Sequence, residues 1–216
     1  MKKHFRNAPY LLILLFTPLL SFIYQLLNEH PRKSVEISTS IDQFIPFVPA
    51  FIIPYLLWYV YMLGYLIYFC FKDTRVYIQT LIIIAAGEVV CFIIYFFFQT
   101  TVPRPELTGN SMLIQLVRYI YVNDEPYNCF PSIHVLTTFA VMLGSIHLKN
   151  KHLLNTFSIH FGGTLIIIST LFVKQHVVFD MIGSMFLVTF LYGIIFEPYQ
   201  VRMAEKTETV YVKNKG

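Results

Sequence analysis

The chain has 216 residues, of which 56% are hydrophobic and 13% charged, and a formal net charge of +4. A soluble domain carries roughly 25% charged residues, so this composition excludes an ordinary soluble fold and describes a membrane protein. The positive charge is accounted for by membrane topology and attraction to anionic headgroups, and gives no reason to expect nucleic acid as a partner. Three scattered cysteines, Cys70, Cys91 and Cys129, form neither a disulfide framework nor a zinc pattern and are expected to be structural.

Runs of about 20 apolar residues are long enough to cross a hydrocarbon core of ~30 Å as helices. In chain order they predict spans at 9–28, 46–71, 76–100, 131–148, 153–173 and 177–197, an all-α polytopic bundle of six transmembrane helices. The first run follows a basic "MKKHFR", but Leu11 to Leu27 is long and no small-residue cleavage site follows, so it is read as a span rather than a signal peptide. Residues 1–216 are expected to form one integral membrane domain, with 198–216 as a short polar tail. Within the connection 101–130, "MLIQLVRYIYV" at 112–122 spaces apolar residues helically around Gln115 and Arg118, as in an interfacial helix lying over a site.

Positive loops are retained in the cytoplasm. With Lys2, Lys3 and Arg6 inside, six spans place Lys72, Arg75, Lys149, Lys151 and the tail residues Arg202, Lys206, Lys213 and Lys215 inside as well. Both termini are then cytoplasmic. The connections 29–45, 101–130 and 174–176 face outward, although they too carry Arg32, Lys33, Arg104, Arg118 and Lys174.

The apolar stretch 153–197 is twice the length that one span needs, so it folds back at "VKQH". Lys174 and Gln175 at such a corner are explained by snorkelling or capping alone. His176 and Asp180 need more explanation: four residues apart, they share one helix face, with the aspartate a turn deeper in the membrane. Ionisable groups there are expensive and mark function. A carboxylate can hold one ring nitrogen and leave the other as a base or nucleophile.

Two further segments have the same character. In "YNCFPSIHV", Pro131 suits a first helical turn and leaves the N–H groups of Ser132, Ile133 and His134 free for an anion, with the Ser132 hydroxyl and His134 ring as added donors. In "QTTVPRPEL", Arg104 stands between Pro103 and Pro105 in an extended stretch, a fixed guanidinium fork for phosphate oxygens. Both segments fall on the same side of the membrane as the 174–176 corner.

These residues resemble the membrane-integrated type 2 phosphatidic acid phosphatase superfamily of lipid phosphatases and phosphotransferases. The likeness lies in "RP" at 104–105, "PSIH" at 131–134 and "STLFVKQHVVFD" at 169–180, and it covers about 95 to 185. Two family cations are absent: the lysine position falls on Phe97 and the arginine position on Thr170. Lys174, two residues before the histidine, is the available replacement. The "ST…KQH…D" form is more similar to the branch that includes inositolphosphorylceramide synthase.

The resemblance implies a phosphorylated lipid as substrate, no cofactor, and a covalent mechanism at an outward-facing site in the cell membrane. His176 would attack phosphorus, Asp180 would set its tautomer, and His134 would protonate the leaving oxygen and then activate water or an alcohol. Arg104, Ser132 and Lys174 would hold the phosphoryl oxygens. Hydrolysis of a phosphomonoester or diphosphate lipid is the main expectation, and transfer of a phosphorylated headgroup to an alcohol the alternative. Two other readings stay open: His134, His176 and Asp180 as a two-histidine, one-carboxylate metal set, and a non-catalytic membrane protein that kept the fold.

The remaining polar residues are expected to be structural. Glu88 in mid-span is read as a buried carboxyl bonded to a neighbouring helix, and His160 lies nearer the cytoplasmic side. His4, His30, His147, His152, Glu106, Asp124 and Glu125 are expected to be solvated. The sequence leaves the lipid, the acceptor and the oligomeric state open.

Overall fold

The computed structural model describes residues 7–29 and 33–213, with side chains as far as Phe196. Lys2, Lys3, His4, Arg6, His30, Arg32 and Lys215 lie outside the described residues, as do the side chains of Arg202, Lys206 and Lys213. Backbone groups in hydrocarbon must find partners within their own segment, which leaves the helix as the spanning element here. The elements in order are α1 (Ala8–Asn28), β1 (Val35–Glu36), α2 (Ser40–Phe44), α3 (Pro49–Lys72), α4 (Thr74–Phe97), β2 (Thr100–Thr101), α5 (Met112–Asn123), α6 (Ile133–Ile146), α7 (Leu153–Phe172) and α8 (Val178–Lys213). Five are long and apolar enough to cross a membrane: α1, α3, α4, α7 and the Val178–Phe196 part of α8. The chain is an all-α helical membrane bundle.

The fourth expected span, 131–148, contracts to the 14 residues of α6. At 1.5 Å per residue it is roughly 21 Å long, shorter than a ~30 Å core, although it still runs between the two opposite ends of the bundle. Yet α6 is the central element, packed on α3, α4, α7 and α8, with Val135, Leu136, Ala140 and Val141 fully buried. A central helix that stops short leaves its start recessed among longer neighbours, and Ser132 at that start has 0% exposure. Gly183 of α8 makes room beside it: a Cβ there would collide with the Phe130 ring, so α8 and the approach to α6 close up only around a glycine.

The connections gather at two opposite ends. At one, Asp73 ends α3 and caps α4 by accepting from the N–H groups of Arg75 and Val76, and Lys72 reaches the Asn150 carbonyl at 3.0 Å. At the other, β1 pairs in parallel with β2, and Thr101 bridges to Tyr127. Here α5 buries Ile114, Val117 and Ile120; Val117 and Ile120 belong to the cluster built on Ile52, Tyr55 and Val173. The backbone of α8 continues as one helix to Lys213, through most of the expected tail. His147, expected to be solvated, stacks on Phe196 with ring centroids 4.3 Å apart and bonds the Tyr192 hydroxyl at 2.6 Å.

Candidate active site

All three polar segments meet at the β-strand end of the bundle. Between α7 and α8 the chain turns through Lys174, whose φ of 56° is left-handed. The Thr170 carbonyl closes this corner by accepting from the N–H groups of Gln175 and His176, both at 3.1 Å. One turn on, Asp180 has 0% side-chain exposure, and its Oδ2 accepts from His176 Nδ1 at 3.1 Å and from the Val177 N–H at 3.0 Å. A carboxylate at Nδ1 fixes the proton there and leaves the lone pair on Nε2. His176, 10% exposed, is thereby oriented as a base or nucleophile.

His134 lies opposite, its ring centroid 6.0 Å from that of His176. Tyr55 stacks on it at 4.6 Å and Trp58 leans on it at 4.4 Å, while Trp58 Nε1 is held by Thr137 Oγ1 at 3.0 Å. Two rings from one face of α3 thus fix the imidazole, and its buried Nε2 has no hydrogen-bond partner among the described residues. A buried polar atom without a partner costs free energy unless a ligand satisfies it.

Ser132 has a role in the fold: its Oγ caps α6 by accepting the Val135 N–H at 3.4 Å, and its carbonyl takes the Ser184 hydroxyl at 2.9 Å. The approach to it is held by Thr100 Oγ1, which accepts from the N–H groups of Cys129 and Phe130, and by the Tyr95 hydroxyl on the Pro131 carbonyl. Arg104 donates to the carbonyls of Tyr121 at 3.0 Å and Asp124 at 2.6 Å and to Gln175 Oε1, with its guanidinium 4.3 Å from the Tyr121 ring centre. Lys174 Nζ donates to the backbone carbonyls of Asp42 and Ile45. Of the two positions where family cations are missing, Phe97 points outward at 80% exposure and Thr170 is fully buried.

His176 stands between two cavities. An outer one of about 500 Å³ is lined by Arg104, Lys174, His176 and residues of the 36–47 segment. An inner one of about 420 Å³ opens between α1, α3, α4 and α5 and holds His134, His176, Asp124 and Glu88 on its wall. Asp124, expected to be solvated, is thus a cavity residue: its Oδ1 accepts the Tyr24 hydroxyl at 2.7 Å. Burial pushes its carboxyl above the ordinary value, against the opposing effects of Tyr24, His176 and Arg104. Glu88, expected to bond a neighbouring helix, lies on the same wall. Nothing in the sequence spacing pointed to Tyr24, Tyr55 or Asp124, because only the folding of α1, α3 and α5 around the histidines brings them in.

The residues whose ligand atoms come close enough to share a metal differ from the alternative set of His134, His176 and Asp180. Among the described residues, Cys129, His176 and Asp180 have ligand atoms within 4.8 Å of one another. Burial, then Asp180 and Asp124, push the Cys129 thiol well above its ordinary value, which opposes the thiolate that a metal requires.

The PAP2 superfamily pattern matches residues 76–203, which include all three polar segments. No curated protein and no solved structure matches the chain. More than half of the sequence falls within the match, and the chain belongs to the PAP2 superfamily, whose members are generally phosphatases and related phosphotransferases of lipid or other phosphoesters.

Proposed function

From membership of the PAP2 superfamily as the premise, we propose that this chain is a membrane lipid phosphatase that works through a phosphohistidine. The observation that carries the reading is the pairing of His176, oriented by Asp180 at 3.1 Å, with a second histidine 6.0 Å away whose buried Nε2 has no partner. His176 Nε2 attacks phosphorus, the phosphorus–oxygen bond to the lipid breaks, and His134 gives its proton to the leaving oxygen. In the second step His134 takes a proton from water, and the phosphohistidine is hydrolysed. Asp180 offsets the positive charge that develops on the His176 ring. Arg104, Ser132 and Lys174 are assigned to phosphate holding, Arg104 and Lys174 from the outer cavity wall and Ser132 by shaping the start of α6. No metal takes part in this scheme, the site faces outward, and both termini are cytoplasmic.

A second reading is transfer of a phosphorylated headgroup to an alcohol, as in the inositolphosphorylceramide synthase-like branch. Two cavities meeting at one histidine favour it, since donor lipid and acceptor can approach from different sides. The test is to incubate purified protein with a panel of phosphorylated lipids, with and without alcohol acceptors, and to measure released phosphate and new lipids together. Phosphate alone indicates hydrolysis, and new phospholipid indicates transfer. Neither product from any lipid would leave a non-catalytic protein with the family fold.

A further inference from the structure

Gln175 stands one residue before the nucleophile, between Arg104 of the outer cavity wall and Tyr55 of the inner one, and is 3% exposed. Arginine has no acceptor, so the bond from Arg104 fixes the amide oxygen Oε1 toward the guanidinium and turns Nε2 the other way. Among the described residues that buried nitrogen makes no hydrogen bond. Its neighbour on that side is the Tyr55 hydroxyl, which can accept only one of the two N–H groups, and the Tyr55 ring is stacked on His134 at 4.6 Å. Arg104 Nε and His134 Nε2 are likewise buried without a partner among the described residues. Each such atom costs free energy until a ligand meets it, and all three belong to residues around His176. Thr170, where a family cation is missing, cannot fill the gap: its buried hydroxyl is bonded to the Ile167 carbonyl at 2.7 Å. Its carbonyl instead accepts the Gln175 N–H at 3.1 Å and so fixes the residue five positions on.

We infer that Gln175 is a phosphoryl-binding residue, its Nε2 donating to a non-bridging oxygen on the phosphorus that His176 attacks, in the place left open at Thr170. This rests on the phosphohistidine reading and adds a residue to it. A carboxamide is neutral, so it contributes direction rather than charge, and its contact strengthens as negative charge builds on that oxygen. No proton is transferred. The N–H groups stay on Gln175 while the bond from His176 Nε2 to phosphorus forms and the bond to the leaving oxygen breaks. The Oε1 end of the same amide holds Arg104, so the guanidinium and the new donor keep a fixed spacing.

The test uses the purified full chain with a labelled nitrophenyl phosphate ester as substrate and vanadate, which takes the five-coordinate shape of a transferring phosphoryl group, as inhibitor. Gln175→Met keeps the length of the side chain and removes the amide. It should lower kcat/KM and weaken vanadate inhibition by similar factors, roughly 10- to 100-fold, the worth of one hydrogen bond to a charged group. Gln175→Glu keeps an oxygen for Arg104 but has no donor, so it should be at least as slow. In an Arg104→Ala background, Gln175→Met should still cost several-fold, as a double-mutant cycle reads it. A residue that only held Arg104 would have nothing left to lose there and would favour Gln175→Glu over Gln175→Met. Either of those results would overturn the inference, as would unchanged vanadate inhibition in Gln175→Met. If Arg104→Ala does not fold, the order of the two Gln175 variants decides; if Gln175→Met does not, Gln175→Glu must lose both turnover and vanadate affinity. Label on His176 with Gln175→Met as fast as the unaltered protein sinks only this inference. No label and no vanadate inhibition in the unaltered protein sinks the phosphohistidine reading and this inference with it.

Discussion

The Lys174 ammonium donates to the Asp42 carbonyl at 3.0 Å, across 132 residues of sequence, while the Asp42 carboxylate accepts the Val178 N–H at 2.8 Å at the start of α8. The short helix α2 is thereby strapped to both sides of the corner that carries His176. Lys174→Ala removes one strap at a residue whose left-handed backbone already disfavours a side chain. Turnover should fall by roughly 10- to 100-fold, since misplacing a catalytic group by about 1 Å can cost that much. Lys174→Gly relieves the backbone but loses the same strap, so it should be more stable than the alanine variant and equally slow. Kinetics like those of the unaltered protein in both variants would remove Lys174 from the site.

Acid should loosen the same corner. Burial raises the Asp42 carboxyl, but the N–H groups of Val178 and Thr39, the Thr39 hydroxyl and Lys174 outweigh it and hold the pKa below the ordinary value. A carboxyl with a lowered folded-state pKa contributes stability that is fully present above its unfolded value and is lost as pH falls through the folded one. The unaltered protein should therefore lose activity in that acid window, and Asp42→Asn should be slower at neutral pH with a shallower acid limb. Identical pH profiles for the two proteins would detach Asp42 from the corner.

Activity should survive EDTA, because the proposed scheme neutralises the phosphoryl charge with Arg104 and Lys174, which line the outer cavity beside His176, and burial holds the Cys129 thiol protonated. Loss of activity that only added metal restores would convert Cys129, His176 and Asp180 into a metal site. Cys129→Ser would then shift the metal dependence, whereas in a metal-free site it should leave the response to EDTA as it was.

Orientation can be read from engineered cysteines, since Cys70, Cys91 and Cys129 are all buried. Thr108 and Lys149 are exposed at opposite ends of the bundle. Thr108→Cys should react with a membrane-impermeant thiol reagent on intact cells, and Lys149→Cys only after permeabilisation. The reverse pattern would invert the topology.

The spans were legible because apolar runs of about 20 residues carry their own signal, and His176 with Asp180 was legible because helical spacing puts i and i+4 on one face. The length of α6 was not: the apolar run continues past Ile146 into Leu148, and only packing decides where the helix stops. Asp124 escaped for a similar reason. Beside Glu125 in a polar loop it reads as a solvated charge, and its burial depends on the Tyr24 hydroxyl arriving from 100 residues away. Lys174 was legible as a cation near the site but not as a strap, because its acceptors are backbone carbonyls that carry no residue-specific pattern.

The phosphohistidine itself gives the most direct test. If His176 attacks phosphorus, an acid-labile phosphohistidine should accumulate whenever the second step is slowed, and His134 is the group assigned to drive that step. General acid–base assistance is typically worth roughly 10²–10⁴-fold, so His134→Ala should slow turnover by about that much. His134 is also assigned to protonate the leaving oxygen in the first step, so the substrate should be a nitrophenyl phosphate ester, whose leaving group needs no proton. Tyr55 and Trp58 hold the His134 ring at 4.6 and 4.4 Å, and Trp58→Phe keeps an aromatic ring while removing the bond to Thr137. That variant should trap less label than His134→Ala but more than the unaltered protein, which separates an ill-positioned acid from a missing one. In rapid quench with labelled ester, protein-bound label should build up in His134→Ala and vanish when His176→Ala is added. Asp180→Asn should lower the rate of labelling without moving its site, because the aspartate orients and stabilises the ring without accepting the phosphoryl group. Label that persists in the variant lacking both histidines would assign the nucleophile to another residue, and the corner between α7 and α8 would lose its catalytic role.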